Sequence, residues 1–142
     1  MDELRRIVTP EPSYSEAERD IVYRCLVYMA STLVENGHSV VIDATGNMRV
    51  WRDMARNLII RYGEVYLKCA LDVCRIREIM RMDTYGAPRD IYRKSESGFP
   101  VPGVSAPYEE PLHPDLVVDT DKIPLSKILE EIEKVITKLE SR

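Results

Sequence analysis

The alternation of short apolar runs with longer amphipathic ones predicts an α/β fold: a parallel sheet with flanking helices. Three observations carry it. Residues 38–43 (HSVVID), 65–69 (VYLKC) and 116–119 (LVVD) are short and mostly apolar, as strands covered on both faces are. Helical periodicity separates each run from the next, so neighbouring strands would be joined by crossovers rather than hairpins. Gly and Pro punctuate the joins.

Residues 7–14 read as a loop broken by Pro10 and Pro12. Ser15 opens a helix, and Glu18 three positions on can complete a capping box. Cys25, Leu26, Met29, Ala30 and Leu33 recur at helical spacing, and Gly37 is the stop. The first strand, 38–43, leads through a loop at 44–47 to a basic helix over 49–62 closed by Gly63. The second strand, 65–69, leads to a helix over 72–82. Residues 83–114 hold Gly86, Pro88, Gly98, Pro100, Pro102, Gly103, Pro107, Pro111 and Pro114, with a short helical piece at 89–95. So long an irregular stretch inside a domain is usually functional or disordered, and it is read as a lid or substrate loop. The third strand, 116–119, precedes a last helix. Ser126 is its expected cap, and Ile128, Leu129, Ile132, Val135, Ile136 and Leu139 form its apolar face. Three strands make a narrow sheet, and the pattern reads as a sheet missing a piece.

The 142 residues suit one domain, with 44% hydrophobic and 31% charged residues, as in soluble globular proteins. A net charge of −4 argues against general duplex-DNA binding, which needs a basic face. Arginines outnumber lysines 14 to 6. This bias suits forked contacts to phosphate or sulfate, but surface ion pairs or genomic bias would produce it as well. Cys25, Cys69 and Cys74 are odd in number and fit no zinc spacing, so no metal site is expected. Cys25 and Cys69 sit in apolar stretches, which suggests buried thiols in a reducing compartment. No run approaches the ~20 apolar residues of a membrane span, and no signal-peptide core follows the charged N-terminus. The expected location is cytoplasmic. His38 and His113 carry no partner pattern. No Gly-x-Ser-x-Gly elbow supports hydrolase chemistry.

The most specific run is Gly103-Val104-Ser105-Ala106-Pro107-Tyr108-Glu109-Glu110-Pro111, followed by Pro114-Asp115-Leu116-Val117-Val118-Asp119-Thr120. It resembles the adenylylsulfate kinase family, in which a glycine and a Pro-Tyr-Glu turn precede a strand ending in Asp-Thr. Other segments match in order. Residues 65–74 resemble the family's next-to-last strand and following helix, and 88–94 its basic lid. Residues 13–19 resemble a substrate-side aromatic followed by a capped helix bearing an arginine. Asp2-Glu3-Leu4-Arg5 resembles the end of an Asp-Gly-Asp-x-x-Arg motif. The resemblance implies a P-loop NTPase-like three-layer fold whose N-terminal βα unit is missing. None of the 142 residues reads G-x-x-x-x-G-K-[ST], the loop that cradles phosphates. The missing unit is of βαβ size, about 30 residues. The break inside the Asp-Gly-Asp motif reads as a late start rather than divergence.

The resemblance implies transfer of the γ-phosphoryl of ATP, with Mg²⁺, to the 3′-hydroxyl of adenylylsulfate, with little activity in this truncated chain. It names Asp2 as proton acceptor, where a frayed terminal acid is the plain alternative. Asp43 ends an apolar strand where α/β ligands bind; it could orient Mg²⁺ or cap the next helix. Arg5 and Arg19 are candidates for the acceptor's anionic group, although Arg19 also fits a solvated helix face. Asn47 could reach the substrate or cap the helix at Arg49. Tyr14 and Phe99 could stack on an adenine, or be core. Arg89, Arg93 and Lys94 could close over phosphates or form an exposed basic turn, with Lys94 on the substrate side. Arg77 and Thr120 match nucleotide-side positions; Arg77 has Val73 and Arg81 four residues away and no acid there.

Departures from the family fall mainly on the acceptor side. Residues 43–49 (DATGNMR) look more like other small P-loop kinases; Val22 replaces an asparagine; Val101 replaces a lid phenylalanine; extra residues lie around 79–87. A kinase with another acceptor, and a non-catalytic nucleotide-binding or dimerisation module, remain the alternatives. A homodimer is compatible with each.

Overall fold

The computed structural model describes residues 1–82 and 88–141. It contains α1 (Asp2–Val8), α2 (Glu16–Glu35), α3 (Arg49–Leu58), β1 (Val65–Lys68), α4 (Leu71–Met80), α5 (Ile91–Ser95), β2 (Leu116–Asp119) and α6 (Leu125–Glu140). The described residues pack as two compact units, Met1–Ile59 with Met82–Glu109, and Ile60–Arg81 with Glu110–Arg142. None of the described helices is long and apolar enough to cross a membrane.

The first unit holds α1, α2, α3 and α5. Helix α1 was not expected from the sequence. Asp2 and Glu3 lie in its first turn and Arg5 and Arg6 in its last, charges that suit the helix dipole at both ends. Ser15 caps α2 as expected, its Oγ accepting the Glu18 N–H at 3.3 Å. The reciprocal half of the box is absent, because the Glu18 carboxylate faces Ser13 and Tyr14 instead. Gly37, at φ +84, ends the helix, and the His38 N–H donates back to the Leu33 carbonyl.

The buried stripe of α2 is Val22, Tyr23, Val27, Ala30 and Ser31. Apart from Ala30, it is displaced around the helix from the expected face; Met29 and Leu33 are exposed. One reason is aromatic. Tyr23 stacks on Trp51 of α3 with ring centroids 4.0 Å apart and planes 7° off parallel. Trp51, Ala55 and Ile59 follow at i, i+4 and i+8 on the buried side of α3. That helix stops short of residue 62 because the backbone turns extended at Ile59, which is buried, and Ile60 beyond it is fully exposed.

The strand expected over 38–43 does not form. The segment has no ladder, and Val41 is 88% exposed. A strand exists only through its partner, and among the described residues nothing pairs with this run.

The second unit carries the sheet. β1 and β2 run parallel, with Val65 opposite Leu116 and Lys68 opposite Asp119. The Thr120 N–H donates to the Lys68 carbonyl at 2.8 Å and extends the ladder by one step. Helices flank this sheet, which places the chain in the α/β class. Val118 and Ile128 are buried, as expected, and α6 packs on β2, whereas Leu129 and Ile136 of the expected apolar face are exposed. Gly63, read as a helix stop, has a different use: a Cβ there would lie 2.6 Å from Leu139 Cδ1 and 3.4 Å from Val135 Cγ1. Pro124, not Ser126, occupies the N-cap of α6, and Ser126 falls in the first turn.

Candidate functional site

The first unit gathers four of the expected acceptor-side residues. Arg5, on α1, is 4% exposed, and its Nη1 donates to Glu18 Oε1 at 2.5 Å. The Arg5 guanidinium carbon lies 4.9 Å from the centre of the Tyr14 ring. Phe99 meets Tyr14 edge-on, with centroids 5.0 Å apart. Arg19, one turn into α2, donates from Nη2 to the Pro100 carbonyl at 2.6 Å. Burial pulls the Arg19 pKa down, and the nearby Arg5 charge adds to that; a guanidinium remains charged even so. Among the described residues, the buried Nε of Arg5 and the buried Nε of Arg19 have no hydrogen-bond partner. Buried donors are normally satisfied. Two unspent guanidinium donors beside an aromatic pair have the chemistry of an anion site.

The start of α1 lies against the backbone at Asp43. The Met1 ammonium donates to the Asp43 carbonyl at 3.3 Å. The Asp43 side chain is exposed and Asp2 is half-buried. The Tyr23 pKa is raised, chiefly by burial; the Asp2 charge adds a smaller push in the same direction.

The loop after Asp43 is fixed from below. The Tyr23 hydroxyl accepts the Gly46 N–H at 2.8 Å in a buried setting. Arg52 Nη1 donates to the Gly46 carbonyl, and its Nη2 to the Glu109 carbonyl at 2.5 Å. Asn47 is buried; its Nδ2 donates to the Pro107 carbonyl at 2.9 Å, and its own carbonyl accepts the Glu109 N–H. Asn47 therefore does not cap α3. Glu109 does that work from a distance, its Oε2 accepting the Arg49 N–H at 2.7 Å. The Pro107-Tyr108-Glu109 turn is thus tied to the 46–49 loop.

The second unit brings Arg77 and Thr120 together. Arg77 donates to Thr120 Oγ1 at 3.1 Å and to the Thr120 carbonyl at 2.7 Å, and its Nη1 lies 3.6 Å from Cys69 Sγ. Both line an open cleft of about 820 Å³, with Leu67, Cys69, Asp121 and Pro124. Thr120 Oγ1 donates to the Lys68 carbonyl at 3.0 Å, so the cleft is built at the carboxyl end of the strands.

The basic turn is held locally. Arg89 donates to the Met82 carbonyl at 3.1 Å, Arg93 pairs with Asp90 at 3.2 Å, and Lys94 is exposed. Part of the expected lid and of the extra segment, residues 83–87, lies outside the described residues. The described residues include no cluster of three or more His, Cys, Asp or Glu side chains able to hold a metal.

A family model described as adenylylsulphate kinase matches residues 1–119. The chain belongs to the adenylylsulfate kinase family. A probable adenylyl-sulfate kinase of Archaeoglobus fulgidus is 36% identical over 123 residues, covering 85% of this chain and 74% of that protein. A probable adenylyl-sulfate kinase of Halalkalibacterium halodurans is 29% identical over 136 residues; the chain spans 62% of its length, less than two thirds. Among solved structures, the Mycobacterium tuberculosis APS kinase CysC in complex with AMPPNP and APS superposes with a TM-score of 0.77 at 24% identity, over 96% of this chain and 76% of that one. That likeness shows a shared fold.

Three residues that shape the candidate site are not singled out by the sequence as site residues. The sequence offers Glu18 only as half of a cap. Glu109 was part of a motif with no task assigned. Tyr23, next to Val22 at a family departure, gave no signal of its hydroxyl bond to Gly46. Only the Ser-x-x-Glu spacing around Glu18 could have drawn attention to it.

Proposed function

We propose that this chain supplies the acceptor side of an adenylylsulfate kinase, the enzyme that moves the γ-phosphoryl of ATP to the 3′-hydroxyl of adenylylsulfate. The observation that supports this reading most is the pair of buried, unpartnered Nε–H donors on Arg5 and Arg19 beside the Tyr14–Phe99 pair. Arg5 and Arg19 would take the acceptor's anionic group through charge-assisted hydrogen bonds. Tyr14 and Phe99 would offer the ring surface an adenine needs. Asp2 would accept the proton of the attacking hydroxyl, a late and modest part of phosphoryl transfer.

Arg77 and Thr120 would border the nucleotide, and Arg89, Arg93 and Lys94 would approach its phosphates. Mg²⁺ would arrive on ATP, where such ions keep most of their ligands on phosphate and water, with Asp43 offering a single carboxylate. When bound, the ion neutralises charge between the phosphates. Cys25, Cys69 and Cys74 are free thiols, half-buried where Cys25 and Cys69 are expected to be buried, and free thiols fit a reducing, cytoplasmic setting.

Calorimetric titration of adenylylsulfate into the 142-residue polypeptide tests the reading. Binding is expected, and Arg19→Ala should weaken it at least tenfold. Absence of binding to the unaltered chain would sink it. Because no residue here reads as a phosphate-binding loop, a coupled ADP-release assay on the same polypeptide should give little turnover. A second reading, a related kinase with another acceptor, draws on residues 43–49 (DATGNMR). Preference for a different nucleotide or sugar phosphate in the same titration would favour it.

A further inference from the structure

Glu18 has more partners than a helix cap requires. Its two carboxylate oxygens divide their work. Oε1 accepts Arg5 Nη1 at 2.5 Å. Oε2 accepts the Ser13 N–H at 2.5 Å, the Ser13 hydroxyl at 2.7 Å and the Tyr14 N–H at 3.2 Å. The residue between these partners is strained: Tyr14 has φ +55, in the left-handed region that non-glycine residues seldom occupy. The same carboxylate therefore fixes both faces of the Tyr14–Arg5 contact: the backbone that carries the ring and the cation that lies over it. The pair is largely buried, with side-chain exposures of 5% for Arg5 and 11% for Glu18.

We infer that Glu18 is a positioning residue, holding Arg5 and Tyr14 in a preformed cradle for the acceptor; this rests on the reading of that cradle given above. With Nη1 occupied by Glu18, the buried Nε of Arg5 is left without a partner among the described residues. The carboxylate orients the guanidinium without touching the ligand. Preorganisation of this kind shows in affinity, because the cost of ordering the ring and the cation is met before binding.

Glu18→Gln separates positioning from folding. The amide oxygen can still accept from Ser13 and Tyr14, whereas the amide nitrogen now opposes the Arg5 donors. The expected result is a folded protein whose adenylylsulfate Kd, measured by calorimetry, rises about tenfold or more, with Glu18→Asp recovering part of the loss because charge is restored. Unchanged affinity in Glu18→Gln overturns the inference. Should that variant fail to fold, Ser13→Ala decides; it removes one donor to Oε2, together with the Ser13 hydroxyl's contacts to Ser15, and leaves the ion pair, and an unchanged Kd overturns the inference equally.

A ligand-free readout keeps this result apart from the reading beneath it. Nitrogen-15 spectra of Glu18→Gln, or of Ser13→Ala in its place, report the cradle without any ligand. Movement of the Tyr14 amide or Arg5 guanidinium signals supports positioning by Glu18 even where the unaltered chain binds no adenylylsulfate and the functional reading falls. Static signals overturn it.

Discussion

Tyr23→Phe isolates one hydrogen bond under the candidate catalytic loop. The substitution deletes a single oxygen and keeps the ring, so the 4.0 Å stack on Trp51 should survive. What goes is the acceptor of the Gly46 N–H, at 2.8 Å, and Gly46 is buried. A buried donor left without a partner costs about 1–3 kcal/mol, more than the net worth of a typical hydrogen bond. With a urea m-value of roughly 2 kcal/mol/M, the midpoint should fall by about 0.5–1.5 M. Trp51 is the sole tryptophan of the chain, so its fluorescence reports the unit that contains the bond. Exchange of the Gly46 amide should accelerate in parallel, and adenylylsulfate should bind more weakly as the loop after Asp43 loosens. A midpoint within about 0.2 M of the unaltered protein at equal m-value, with Gly46 still protected, would refute the argument, since the N–H would then have another acceptor.

Acid should reveal Glu18 and Asp20. Burial tends to raise the Glu18 pKa, but the bonds from Ser13 and the Arg5 charge outweigh it and hold the carboxyl below its ordinary value; bonds from Arg24 and Trp51 do the same for Asp20. A depressed folded pKa contributes stability that is present above the unfolded value and lost as pH falls through the folded one. The Trp51 urea midpoint should therefore decline below about pH 5, and Glu18→Gln should flatten part of that decline; identical slopes in the two proteins would contradict it. In the second unit, Gly63→Val should cost about 1–3 kcal/mol by overpacking, because the branched side chain cannot avoid both Leu139 and Val135. Faster amide exchange across Val65–Lys68 is the expected sign, and unchanged exchange would show that α6 yields freely.

Local signals were legible where chain neighbours decide the outcome. Ser15, Gly37 and the existence of β1, β2 and the last helix follow from their residue types, although the cap of that helix is Pro124 rather than Ser126. The expected strand at 38–43 failed because propensity gives a run its shape, while pairing must come from elsewhere. Apolar spacing in α2 allows two adjacent stripes, and the choice between them depends on Trp51, 28 residues from Tyr23. The candidate site divides along the same line. Arg5, Tyr14, Arg19 and Phe99 could be named from motif resemblance, yet their meeting depends on contacts such as Arg19 to Pro100, 81 positions apart. No periodicity encodes that.

The location of these contacts also shows which parts of the functional reading can be tested separately. Every residue of the proposed acceptor cradle lies in one compact unit, and each is held there by that unit's own groups: Arg5 by Glu18, Tyr14 by Glu18 and Phe99, Arg19 by the Pro100 carbonyl. None of those bonds involves a phosphate-binding loop. Acceptor binding and phosphoryl transfer therefore make different demands on the chain. The first needs the cradle alone; the second needs ATP phosphates held in line with the acceptor hydroxyl, which is where a kinase derives nearly all its rate. A polypeptide that binds adenylylsulfate and turns over little ATP would be doing what its described contacts equip it to do.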